Sequence, residues 1–314
     1  MTRIVTLTMN PAVDCSVQTG RVVPEHKLRC SAPRYDPGGG GLNVARVIRE
    51  LGGAARALYP VGGFAGQQLR ELLDATGILH QPLAIAGHTR ESFTVLEKDT
   101  GAQFRFVLPG PELRESEWKL CLDQVSALEP APGYLVASGS LPPGVPDDFY
   151  ARVASVAREI GARLALDTSG AALREGVKGG VYLVKPNLRE LGQLAGAELL
   201  DEAQVERAAR ALVDGGRAEV VVVSLAAAGA LLVTADITER IRAPTVPVQS
   251  RVGAGDSTLA GILVGLTRGD ELRRAVRLGI AAGSAAVMAP GTGLCRREDA
   301  DRLYALLLAE MTGA

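Results

Sequence analysis

The sequence predicts an α/β protein: a largely parallel β-sheet with helices on both faces, and a small second sheet projecting from it. Three observations carry this. Short β-branched runs alternate with amphipathic stretches through the middle of the chain. A first apolar run leads, after a polar excursion, into a glycine run that opens a helix. Two further segments follow neither rhythm.

The elements follow in order. Residues 4–9 read as the first strand, running into Asn10, Pro11, Ala12, Val13 and Asp14. After the excursion comes the run Gly38 to Gly41, and then Val44, Val47, Ile48 and Leu51 recur at helical spacing until Gly52 and Gly53 stop the helix. Residues 134–137, 164–166, 182–184 and 220–223 are short apolar strands, with a helix over 147–160 between the first two. From Asp256 onward the chain reads as mostly helical. Residues about 15–36 and about 90–108 fit poorly; the latter has the pattern of a hairpin, 92–97 against 103–108, around Thr100 and Gly101. Both are expected in the small sheet, a lid or dimer clasp on a single domain spanning 1–314.

Composition narrows the function. The 314 residues, 47% hydrophobic and 22% charged, suffice for one large core, and no stretch has the length or character of a membrane span or a signal peptide, so a cytoplasmic protein is expected. A net charge of −1 gives no general attraction to nucleic acid or membrane; an anionic ligand has to be held by local groups. Cys15, Cys30, Cys121 and Cys295 are too scattered for a metal or redox motif, and the three histidines lack zinc-site spacing.

Arg251 to Ser257, with the core Gly253, Ala254, Gly255 and Asp256, is the most informative stretch. Small residues at a helix start leave N–H groups free to face an anion, and a carboxylate beside them suits phosphoryl transfer: one group accepts a hydroxyl proton while the amides stabilise charge. Alone, such a tetrapeptide serves equally well as a helix cap. The glycines at 38–41, with Asn43 beyond, leave no side chain to keep a polyhydroxylated ligand from the backbone. They come too late for a dinucleotide-binding loop, which follows the first strand directly. Lys185, Pro186 and Asn187, then Glu190, follow the strand at 182–184; Asn187 and Glu190 would share a helix face and offer oxygens to a hydrated magnesium ion. An ordinary helix start explains the same residues. Five of the 34 basic side chains are lysines, so Lys27 and Lys185 at motif positions invite a phosphate-binding role.

Taken together, in order, the segments TLTMNPAVD, PEHKLRC, PGGGGLNVARVIRELGG, QFRFVLPG, ASGSLPPGV, LVKPNLRE, VVVSL, SRVGAGDS and AAGSAA resemble the ribokinase-like sugar kinases, specifically their phosphofructokinase-B branch, over essentially the whole chain. The resemblance implies a three-layer α/β/α sandwich with a β-sheet lid that pairs with another subunit's lid in a homodimer. It implies Asp256 as catalytic base, with Gly253, Ala254 and Gly255 beside it. Asp14, Gly38, Gly39 and Asn43 would contact sugar hydroxyls, and Arg90, Arg105 and Ser140 the substrate phosphate, with Lys27 and Arg29 in the lid. MgATP would meet Lys185, Asn187, Ser224, Gly229 and Ser284, with Glu190 linked to Mg2+. A K+ site is implied near Ser250, Val252, Ala286, Ala289 and Gly291. Lys27 would also take part in inhibition by a second ATP.

One departure and one discriminating position stand out. Ala226 occupies a place where the family often has glycine, which restricts the loop beside the nucleotide. Gly40 stands where 1-phosphofructokinases and tagatose-6-phosphate kinases commonly carry lysine. The expected reaction is therefore phosphorylation of fructose 6-phosphate at its 1-hydroxyl by ATP. The alternatives are those two related kinases, or a catalytically silent sugar-binding regulator.

Overall fold

The structure is a computed structural model; residues 4–312 are described, and residues 1–3 and 313–314 of the expected domain lie outside the described residues. Its strands are β1 (Ile4–Leu7), β2 (Ala12–Thr19), β3 (Arg34–Gly38), β4 (Ala55–Val61), β5 (Leu79–Ala84), β6 (Arg90–Glu97), β7 (Gln103–Val107), β8 (Tyr134–Ser138), β9 (Arg163–Asp167), β10 (Val181–Val184), β11 (Ala218–Ser224), β12 (Ala230–Val233) and β13 (Thr238–Ile241). Nine of them form one sheet in the order β13-β12-β11-β10-β9-β8-β1-β4-β5, and the other four a separate sheet, β3-β2-β6-β7. The large sheet is parallel except where β12 pairs with β11 and β13.

Parallel neighbours require crossovers, and helices supply them on both faces. On one face lie α1 (Gly40–Glu50), α2 (Gly63–Thr76), α8 (Ala254–Arg268), α9 (Leu272–Val287) and α10 (Arg297–Thr312). On the other lie α3 (Glu115–Ser126), α4 (Phe149–Glu159), α5 (Gly170–Gly176), α6 (Leu188–Ala195) and α7 (Glu202–Asp214). The strand sequences show why both faces are filled. Along β11, Val220 and Val222 enter one apolar layer and Val221 and Val223 the other, all buried. The α1 helix turns Val44, Val47 and Ile48 into the first layer and stops where Gly53 N–H bonds to Ile48 O at 2.8 Å.

The expected three layers and small sheet are present, with shifted boundaries. The first strand ends at Leu7 rather than residue 9, since the chain bends at Met9 and Asn10. Of the small sheet's first two strands, one begins at Ala12 and the other ends at Gly38, so Asp14 and the first glycine lie inside strands that pair Asp14 with Asp36 and Ala12 with Gly38. The segment between β2 and β3, including Lys27 and Arg29, contains no strand and is exposed. The hairpin β6–β7 falls where it was expected.

Side chains on the two faces of the small sheet differ. Tyr35, Cys15, Phe93 and Phe106 stand in one row across all four strands. Their neighbours Asp36, Asp14 and Ser92 form the adjacent row on the opposite face, which is turned toward the large sheet's edge.

Candidate active site

Between that polar face and the start of α8 lies a cavity of about 260 Å³ whose lining includes Asp14, Gly39, Asn43, Arg90, Arg105 and Asp256. It opens at the C-terminal ends of the strands, where open α/β sheets bind ligands. A larger hollow of about 710 Å³ lies at the strands' other ends, lined by Ala154, Arg163, Tyr182 and Asp236 among others. The smaller cavity is the one that holds Asp256, Asp14 and the start of α8.

The α8 start is built by Gly253, whose φ of 74° is left-handed and favours glycine. The first intrahelical bond of the turn runs from Ser257 N–H to Gly253 O at 2.8 Å, which leaves the amides of Ala254, Gly255 and Asp256 without helical acceptors. Asp256 stands among them in the first turn. Burial, and then the charge of Asp167, push its pKa up to about 6, while the Asn43 amide, donating through Nδ2 to Oδ2 at 2.9 Å, and Lys185 offset part of the rise. A carboxylate titrating near 6 is ionised at neutral pH and basic enough to accept a proton.

Asp14 projects from β2 into the same cavity. Burial raises its pKa to about 6 against the opposing charges of Arg90 and Arg105. A Cβ at Gly38 would lie 2.4 Å from the Asp14 carboxylate, so only glycine allows β3 to approach it so closely. The Arg90 guanidinium is anchored on two backbone carbonyls, Asn10 O (3.0 Å) and Leu108 O (3.1 Å), which ties β6 to the large sheet's edge. Its buried Nε has no hydrogen-bond partner among the described residues. Ser140 sits just outside the lining, accepting from Asn10 Nδ2 at 3.1 Å. Arg105, on β7, is exposed at the mouth. Lys27 and Arg29 do not join the cavity of this chain.

A second group lies across the ends of β9, β10 and β11. Lys185 is buried and paired with Asp167 at 3.1 Å. Burial, the largest single influence, would pull its pKa down, but Asp167 first, and with it Asp256 and Glu190, together outweigh burial and the net shift is upward, so the ammonium stays charged. Its Nζ lies 3.2 Å from where a Cβ on Gly255 would stand, directly behind the free amides. Asn187 and Glu190 are not two side chains aimed jointly at a ligand. They form a capping box in which Asn187 Oδ1 accepts from Glu190 N–H and Glu190 Oε2 from Asn187 N–H, both at 2.9 Å. Glu190's remaining oxygen is left for a cation, and burial raises its pKa. One carboxylate beside the charged Lys185 is a donor set that fits a mostly hydrated Mg2+.

Ser224 ends β11, donating its N–H to Pro186 O at 2.8 Å, and the turn from Leu225 to Gly229 follows it. Ala226 has a φ of 53°, one of two non-glycine residues at positive φ among the described residues. The alanine that departs from the family pattern thus falls on a strained position. Ser284 is buried on α9, which packs along α8. Ser250, Val252, Ala286, Ala289 and Gly291 lie around one joint, where Gln249 and Ser250 donate their N–H groups to Val287 O and Val252 N–H to Ser250 Oγ. Asp167, Asp36, Arg46 and Thr292 were not singled out from the sequence; the first ends a parallel strand at the binding edge, a position that marks such residues.

With this geometry in place, the chain is identified by family: it belongs to the pfkB family of carbohydrate kinases, whose model matches residues 4–299. A curated relative, an ATP-dependent 6-phosphofructokinase isozyme 2 of Mycobacterium tuberculosis, is 50% identical over 304 residues, covering 97% of this chain and 89% of that one. A 1-phosphofructokinase of Bacillus subtilis is 33% identical over 290 residues, 92% and 94% of the two chains. Phosphofructokinase-2 of Escherichia coli, solved with potassium (TM-score 0.94), with fructose-6-phosphate (0.93) and as a tetrameric inhibited form (0.93), is 41% identical and covers 98% of this chain and 100% of that one.

Proposed function

We propose that this chain transfers the γ-phosphoryl group of MgATP to the 1-hydroxyl of fructose 6-phosphate, giving fructose 1,6-bisphosphate and ADP. The carrying observation is a single cavity that sets Asp256, raised to about 6 and next to three free amides, opposite the guanidinium of Arg90. The Asp256 carboxylate takes the hydroxyl proton as the sugar oxygen attacks the γ-phosphorus. The amides of Ala254, Gly255 and Asp256 hold the charge that develops on the phosphoryl oxygens. Lys185, kept charged by Asp167, meets the nucleotide's phosphates. Asp14, Gly39 and Asn43 orient the sugar hydroxyls, and Arg90, Arg105 and Ser140 grip its phosphate.

Glu190 is the residue that would hold Mg2+, whose charge offsets that of the phosphates when MgATP is bound. The joint at Ser250 and Gly291 would take K+. The likeness of sugar specificity to the 6-phosphofructokinase relatives rather than the 1-phosphofructokinases has support in Gly40: a Cβ there would lie 2.2 Å from Ser138 Oγ, so a lysine is not accommodated without moving Ser138. The outward row of Tyr35, Phe93 and Phe106 supports a homodimer through the small sheet, which leaves Lys27 and Arg29 to serve across that contact, in substrate binding or ATP inhibition. Among the described residues no helix is long and apolar enough to cross a membrane, and the proposed setting is the cytoplasm.

The test is release of ADP from MgATP with fructose 6-phosphate, fructose 1-phosphate, tagatose 6-phosphate and unphosphorylated sugars assayed side by side. The reading expects the highest kcat/KM with fructose 6-phosphate. Preference for another sugar phosphate would replace the substrate, and no ADP with any of them would leave a sugar-binding regulator.

A further inference from the structure

The amide of Asn43 stands between the base and a guanidinium. Its Nδ2 donates to Asp256 Oδ2 at 2.9 Å, and its Oδ1 accepts from Arg46 Nη1 at 3.3 Å. Asn43 and Arg46 are three residues apart on α1, the spacing that sets two side chains side by side on a helix surface. The two ends of a carboxamide have nearly the same shape, so its neighbours decide which end faces which way. If the Asn43 amide were reversed, an oxygen would face the Asp256 carboxylate and an NH2 group would face the guanidinium, repulsive at both ends.

Arg46 is itself held firmly. Its Nη1 also donates to Pro37 O at 3.0 Å, and its Nη2 lies 3.9 Å from Asp36 Oδ1. Asp36 is buried on β3 and is fixed in turn by Thr292 Oγ1, which donates to Oδ2 at 2.6 Å, and by Arg34. Both Asp36 and Thr292 are held in buried surroundings, so the chain of contacts runs from the small sheet and the loop after α9 through Arg46 and Asn43 to the base.

We infer that Arg46 is a positioning residue for phosphoryl transfer, locking the Asn43 amide so that it presents its NH2 group to Asp256, with Asp36 holding Arg46 in place. This rests on the reading of Asp256 as the base. Arg46 does not line the cavity, and its effect passes through the Asn43 amide, a rotor that does. With that rotor free, Asp256 loses a steady donor to its ionised form and becomes harder to ionise. The other groups acting on Asp256 are Asp167 from β9, Lys185 after β10 and Asp14 from β2; those acting on Arg46 are Asp36, Arg34 and Asp14. None of these is altered by a neutral replacement of Arg46 except through Arg46's own charge, which the Arg46→Lys variant retains.

The experiment is kcat against pH, with fructose 6-phosphate and MgATP saturating, for wild type, Arg46→Gln, Arg46→Lys, Asn43→Ala and the Arg46→Gln/Asn43→Ala pair. Arg46→Gln is expected to move the acid limb upward by about half a pH unit to one unit, the size of losing part of one hydrogen bond to a charged group. The loss in kcat is then severalfold at pH 6 and small at pH 8, with the KM for MgATP unchanged. Arg46→Lys is expected to fall between wild type and Arg46→Gln, and it carries the test alone should Arg46→Gln not fold. In the Asn43→Ala background, Arg46→Gln is expected to add no further shift. A loss of kcat by the same factor at every pH, or an equal shift whether or not Asn43 is present, would overturn the inference. An inactive wild-type protein would instead overturn the function on which it rests.

Discussion

Strands of the large sheet bury both faces, as β11 does with four consecutive valines, whereas the small sheet leaves Tyr35 42% and Phe106 52% exposed on its outward face. The large sheet is complete within one chain. The small one holds polar residues toward the cavity and an apolar row outward, and exposed apolar patches mark interaction surfaces. Chemistry is divided in the same way. Asp256, the free amides and Lys185 stand on the large sheet's edge and α8, where packing fixes them; Asp14, Arg90 and Arg105 stand on the small sheet, whose position would set how the proposed sugar phosphate is held. Rate should therefore be lost from the first region and substrate affinity from the second.

The largest expected effect follows from the first half of that comparison. Asp256→Asn keeps the shape and removes the base, and kcat in an ADP-release assay is expected to fall by about 10²–10⁴ with little change in the KM for fructose 6-phosphate. The pKa of Asp256 is raised on folding, so its ionised form opposes folding above about pH 6 and ceases to do so as pH falls toward the unfolded value. The Asp256→Asn variant is accordingly expected to melt no lower than wild type at pH 7.5. A clear loss of melting temperature there would mean that the lost activity reflects damage to α8.

On the small sheet, Arg90→Ala removes a charged donor and is expected to raise the KM for fructose 6-phosphate by about 10- to 100-fold, leaving that for MgATP within a few-fold. Equal increases for both substrates would show that Arg90 serves only to tie β6 to Asn10 and Leu108. Phe106→Asp charges the outward row, and sedimentation velocity is expected to shift toward monomer while the chain remains folded. An unchanged sedimentation coefficient would place any self-association elsewhere.

These contrasts also mark what was legible in the sequence. The large sheet was readable because strands buried on both faces are nearly continuous apolar runs, and α1 because its apolar spacing ends at paired glycines. The start of the small sheet was not, since Asn10 and Pro11 signal a turn and hide that β2 begins immediately after, at Ala12. Asp256 and Asp14 could be singled out by motif, but the partners that set their charge could not. Asp167 is one aspartate at the end of a short run, and Arg46 one of 29 arginines. The pair Asn187 and Glu190 had the spacing of a capping box as well as of a cation site, and the structure forms the capping box with one oxygen of each side chain, which the sequence alone did not separate from the other use.

The smallest expected effect is at Ala226, where an alanine adopts a φ of 53°. Ala226→Gly relieves that strain and is expected to stabilise the folded chain by about 1 kcal/mol in denaturant unfolding, an effect confined to the large sheet's nucleotide side. A destabilisation would show that Ala226 makes contacts worth more than its backbone strain.

The central claim, that a buried Asp256 receives the proton, is tested most directly by kcat against pH in wild type and Asp167→Asn. The carboxylate accepts a proton only when ionised, so wild-type kcat is expected to fall about tenfold per pH unit below about 6. Removing the Asp167 charge, the largest raising influence after burial, lowers the Asp256 pKa, and the break is expected to move to lower pH while the titration of the sugar phosphate stays the same in both proteins. A break at the same pH in both would contradict the assignment of Asp256 as the group whose ionisation drives the reaction.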